Sequence, residues 1–98
     1  MHPYEISTKA LADLDEIWLY TFETWSVEQA NRYYNLIFDE ISYICEDPLS
    51  GKSMDDVRKG YRVSKVKSHL IFYKVVNDIV EIIRILHQRM DIENRLSE

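Results

Sequence analysis

The run from Tyr61 to Met90, YRVSKVKSHLIFYKVVNDIVEIIRILHQRM, constrains this chain more than any other stretch. It holds three β-rich segments, Tyr61 to Val66, His69 to Val76 and Ile79 to His87, divided by two-residue polar breaks. The second break is Asn77-Asp78, and Asn and Asp tolerate the positive φ angles that a tight hairpin turn requires. Strands joined this closely form an antiparallel meander. The middle segment, HLIFYKVV, is apolar at both parities, which predicts a central strand covered on both faces. Lys65 breaks the alternation set by Tyr61 and Val63, so a bulge is expected near it. Lys67-Ser68 stands in the first turn, where Gly or Asn is the usual choice.

The preceding residues supply one cover. Tyr4-Glu5-Ile6-Ser7 alternates after Pro3 and reads as a short first strand. Ser7 or Thr8 caps a helix from about Thr8 to Thr24, with Ala10, Leu14, Ile17 and Thr21 on one stripe and Leu11, Trp18 and Trp25 on the next. Ser26-Val27-Glu28-Gln29 has the form of a capping box and starts a second helix. Its apolar stripe is Ala30, Tyr33 or Tyr34, Ile37, Ile41 and Ile44, and Asp47-Pro48 ends it. With a residue or two between them, the helices pack as an antiparallel hairpin. Leu49 to Lys59 is an extended loop with room for a helical turn around Met54 to Val57. The tail from Gln88 reads as irregular or a single helical turn. The second cover of the central strand is either this tail or a partner protein. The expectation is an α+β fold of order β-α-α-β-β-β, one domain over residues 1–98, because a chain this short cannot divide its core.

Charge is unevenly distributed. The formal net charge is -5, yet residues 1–50 carry two basic side chains against ten acidic ones, and residues 51–98 carry ten against seven. Arg58, Lys59, Arg62, Lys65, Lys67 and Lys74 follow one another with no acid between them, which makes a basic face suited to an anionic partner. One cysteine, Cys45, excludes an intramolecular disulfide and a cysteine zinc cluster. No signal peptide and no membrane-length apolar run is present, so a cytoplasmic protein that does not engage membranes is expected.

Candidate chemistry is sparse. His2, His69 and His87 have no second ligand at metal spacing, and Gly51 and Gly60 do not make a phosphate loop, so no metal and no cofactor is expected. Cys45 lies on the apolar side of the second helix and reads as a small buried hydrophobe. Arg84 interrupts an apolar strand, where a guanidinium needs an anion. It pairs either with an internal acid, Asp91 or Glu93 of the tail, or with an external anion on the sheet face opposite the helices. His87 reads as a strand-end anchor ahead of an acid-base group.

The order of elements, together with ALADLDEIW in the first helix, the P..GK spacing of Pro48 to Lys52, the pair Tyr61-Arg62, IFYKV and the closing RILHQRMD, resembles the ParE toxins of the RelE/ParE superfamily. The resemblance covers nearly the whole chain. It implies a type II toxin that inhibits DNA gyrase without catalysis and is neutralised by a ParD-like antitoxin, with DNA reached only through that antitoxin. RelE-like relatives instead cut mRNA on the ribosome, for which Arg62, Arg84 and His87 would be the catalytic set here. The acidic net charge favours the first reading, since RNA binding needs dense Lys and Arg. A decayed toxin retaining only antitoxin binding is a further alternative. The expected partner-binding residues are Arg58, Lys59, Arg62, Lys65, Lys74, Arg84 and His87, with Trp18, Trp25 and Tyr34 as aromatic anchors. The antitoxin segment is expected in a groove between the helical hairpin and the sheet, an apolar trough with basic edges.

Overall fold

A computed structural model describes residues 2–97. Strand β1 (Tyr4–Ile6) leads into helices α1 (Thr8–Thr24) and α2 (Val27–Glu46), followed by β2 (Lys52–Ser53), β3 (Arg62–Val66), β4 (His69–Val76), β5 (Ile79–His87) and α3 (Ile92–Ser97). The strands form one sheet in the order β1-β5-β4-β3-β2. β3, β4 and β5 are the antiparallel meander; β1 joins β5 in parallel, with Tyr4 opposite Val80, and the two-residue β2 pairs antiparallel with β3. Neither β2 nor the parallel pairing of β1 is visible as a local pattern.

Turn chemistry behaves as the residues demand. Asn77 and Asp78 have φ of 52° and 65°, both positive, as a two-residue hairpin turn requires. Lys67, at φ 53°, takes the strained position of the first turn without a Gly or Asn. Val66 pairs with His69 across it, so that turn is also two residues long. Ser7 is the cap of α1: its hydroxyl accepts from the Ala10 N–H at 3.0 Å and donates to the Ile83 carbonyl at 2.7 Å. Ser26 caps α2 by accepting from the Gln29 N–H at 3.1 Å. The reciprocal half of the capping box does not form among the described residues.

The expected bulge is elsewhere. β3 is in unbroken register through Lys65, whereas β5 slips by one residue: Phe72 faces Arg84 and Tyr73 faces Ile82, leaving Ile83 as the extra residue. The slip reverses the parity of β5. Val80 and Ile82 before it and Ile85 after it all point into the core beneath the helices, while Leu86 points to the other face.

Two apolar layers result. Ala10, Leu14 and Ile17 of α1 and Ile37, Ile41 and Ile44 of α2 close over Ile71, Tyr73, Val80, Ile82 and Ile85. Tyr73 is fully buried; its hydroxyl donates to the Pro48 carbonyl at 2.8 Å and accepts from the Gly51 N–H at 2.9 Å. Gly51 is required there because a Cβ would overlap the phenol ring. On the opposite face Tyr61, Phe72 and Leu86 are covered by Leu96 of α3, with Met54 and Val57 of the long loop alongside. The central strand is thus covered by the chain's own tail, which forms a six-residue helix. Among the described residues no helix is long and apolar enough to cross a membrane.

Candidate functional site

Arg84 organises the open edge of β5. β1 ends opposite Ile82, and beyond that point side chains of the α1 region replace it: Ser7 takes the Ile83 carbonyl and Asp13 takes the Ile85 N–H at 2.9 Å. The same Asp13 carboxylate receives the Arg84 guanidinium in a two-point pair, Nε to Oδ2 at 2.9 Å and Nη2 to Oδ1 at 3.0 Å. The third nitrogen, Nη1, donates to the Arg95 carbonyl of α3 at 3.2 Å. Both side chains are buried. Arg84 therefore ties α1, the sheet edge and α3 together. The acid that meets Arg84 is Asp13 of α1, seventy-one residues away, and the tail contributes the Arg95 carbonyl.

The other expected residues fall into separate groups. Arg62 donates from Nη1 to the carbonyls of Gly51 at 2.7 Å and Leu49 at 3.3 Å, which pins the start of the loop. Arg58 and Lys74 both lie over the buried Tyr61 ring, at 5.7 and 5.9 Å from its centroid. Lys74 also approaches Glu81 at 3.9 Å. Lys59 is exposed near them.

Lys65 and Lys52 stand at the rim of a cavity of about 500 Å³ on the sheet face opposite the helices. Its floor is Val63, Leu70 and Phe72, and its sides are Met54, Val57 and Ile92. An apolar trough with basic edges thus lies between the long loop and α3.

His87 ends β5 beside His69, ring centroids 5.2 Å apart and edge to face. Its Nδ1 accepts the Arg89 N–H at 3.1 Å, the turn-anchoring role expected of it. His69 meets the Tyr33 hydroxyl at 2.5 Å, and burial pushes its pKa down to about 4, with the His87 charge adding to the effect. The Tyr33–His69 contact carried no sequence signal, because its partners are thirty-six residues apart. Of the aromatic candidates, Trp18 is half-buried, stacked on Phe22 and bonded to Asn31; Tyr34 packs with Phe38 against the core; Trp25 is exposed. Among the described residues no cluster of three or more His, Cys, Asp or Glu could hold a metal ion.

The profile for the ParE toxin of type II toxin-antitoxin systems, parDE, matches residues 4–92. The chain belongs to this family. It is 45% identical over 91 residues to Toxin ParE1 of Caulobacter vibrioides, an alignment spanning 93% of this chain and 94% of that protein. It is 37% identical over 94 residues to Toxin ParE1 of Mycobacterium tuberculosis, covering 95% and 96% of the two chains. A chain from a solved chromosomal ParDE toxin-antitoxin system of P. aeruginosa superposes with a TM-score of 0.78 at 20% identity, over 89% of this chain and 96% of that one. As a ParE-family toxin, the chain keeps the expected strand, helical hairpin and meander. The basic residues are distributed between internal struts, Arg62 and Arg84, and a rim on the sheet face.

Proposed function

We propose that this ParE-family toxin acts by binding DNA gyrase and blocking its reaction, without catalysing one itself, and that a ParD-like antitoxin neutralises it. The observation that carries the non-catalytic reading is the commitment of both arginines. In the endoribonuclease reading Arg62 and Arg84 would have to meet the phosphate at the moment of cleavage. Arg84 is instead matched by Asp13, and Arg62 by two carbonyls of the loop. Membership of the ParE family supports gyrase as the target.

For the antitoxin, the sheet-face cavity has the chemistry of a helix or strand groove: an apolar floor for the segment's buried side chains, with Lys52 and Lys65 at the edge for its acids. Glu93 also lines it, so the segment's charge belongs on the lysine side. Arg58, Lys59 and Lys74 extend the positive surface. Purified toxin is expected to inhibit supercoiling by gyrase, and added antitoxin to restore it. Unimpeded gyrase at a large excess of toxin would refute the reading, and cleavage of message in a translating extract would replace it with the endoribonuclease.

A further inference from the structure

Where the end of α1 meets the start of α2, the β3–β4 turn and the last residue of β5, a pocket of about 440 Å³ opens. Five rings line it: Tyr20, Trp25, Tyr33, His69 and His87. Thr21, Gln29 and Ser68 complete the lining. In a chain with 30% charged residues, none of the lining residues is Asp, Glu, Lys or Arg, and none is aliphatic. A lipid or aliphatic side chain would call for Leu, Ile or Val, and a phosphate or carboxylate for Lys or Arg. Rings with small uncharged hydrogen-bonding groups suit a flat heteroaromatic ligand.

The rings divide into fixed and presented ones. Tyr33 is held by its hydroxyl against the Val66 carbonyl and His69, and the two histidines hold each other edge to face. With Nδ1 of His87 accepting from Arg89, Nε2 is the ring's other hydrogen-bonding nitrogen. Tyr20 and Trp25, by contrast, are 70% and 72% exposed. Neither stacks on another ring among the described residues, unlike Trp18 on Phe22. Gln29, with the reciprocal capping bond unmade, keeps its carboxamide for the pocket, a donor beside an acceptor as on the edge of a base. An adjoining hollow of about 320 Å³ shares Tyr20, Thr21, His69 and His87 and continues over Ile17, Ile85 and Met90, which leaves room for a sugar.

We propose that this pocket binds an unpaired nucleobase, stacked on Trp25 and Tyr20 and hydrogen-bonded by Gln29. The base can come from a free nucleoside or from a single strand. Lys67 and Arg89, exposed beside Ser68 and His87 in the chain, stand ready for the phosphates of a strand, while Glu16 in the adjoining hollow opposes them. The site is separate from the sheet-face cavity, and its test uses neither gyrase nor antitoxin.

The probes are adenosine and a short single-stranded oligodeoxyadenylate, measured by calorimetry on the full chain. Trp25→Ala and Gln29→Ala change exposed residues, and circular dichroism confirms their folding. Adenosine is expected to bind, with each substitution weakening it roughly five- to hundredfold, the range for removing a stacking platform or a base contact. Tighter binding of the oligonucleotide, lost in Trp25→Ala, identifies a single strand as the source; equal affinity identifies a nucleoside. No binding of either probe at several millimolar overturns the proposal. So does binding that survives both substitutions, or oligonucleotide binding without adenosine binding, which would place recognition on the phosphates.

Discussion

A guanidinium on a buried strand costs several kcal/mol unless its charge and its donors are matched. Arg84 meets that requirement with one carboxylate and one carbonyl from opposite layers of the fold. Removing only the acid leaves the cation buried and also strands the Ile85 N–H, so Asp13→Ala is expected to lower unfolding stability by about 3–5 kcal/mol in urea titration. Asp13→Leu combined with Arg84→Met should recover much of that loss, because the buried cation is removed with its acid and only the Ile85 N–H stays stranded. His69 makes a second prediction at this scale. Its folded pKa of about 4 lies below the ordinary value of 6.5. The unfolded chain therefore binds more protons between these values, and stability falls as pH drops from about 6.5 to about 4. Denaturation midpoints measured across that window should decline, and His69→Gln should flatten the decline.

At the scale of elements, α3 shows how a marginal helix is held. Six residues are far too few to be stable alone. Leu96 and Ile92, packed toward Phe72 and Leu86, supply its reason to form. Leu96→Ala is expected to cost about 2–3 kcal/mol, at the lower end for a buried leucine because a six-residue helix can shift to close part of the cavity. Faster proteolysis of the tail, with the rest of the chain protected, would show that the loss is local. The hairpin turn at Asn77-Asp78 and both helix starts were legible because their chemistry is local. The slip at Ile83 was not, since a run as apolar as IVEIIRILH reads the same at either parity. The weak alternation at Lys65 drew the expected bulge to the wrong strand. Lys52-Ser53 has no strand signal, and it is a strand only because β3 offers it a ladder.

Over the whole molecule, the acidic first half forms the helical layer and the basic second half forms most of the sheet and the long loop. Lys52 and Lys65 stand on the sheet face away from that acidic helical layer. If the antitoxin's acids meet Lys52 and Lys65, affinity should fall as salt rises from low to physiological, and Lys52→Glu with Lys65→Glu should remove much of that dependence. Titration at several ionic strengths measures this directly. A flat response would move the antitoxin away from the sheet face.

Periodicity, caps and turn residues determined β1, the helical hairpin, the three strands of the meander and their order, because each of those is decided by neighbours within a turn or two. Motif resemblance supplied the family. Only the tertiary structure decided which acid meets Arg84, what covers the second face of β4, and where the trough and the ring-lined pocket lie. Those depend on residues up to seventy-two positions apart, brought together by a strand slip and an open sheet edge that no local pattern encodes.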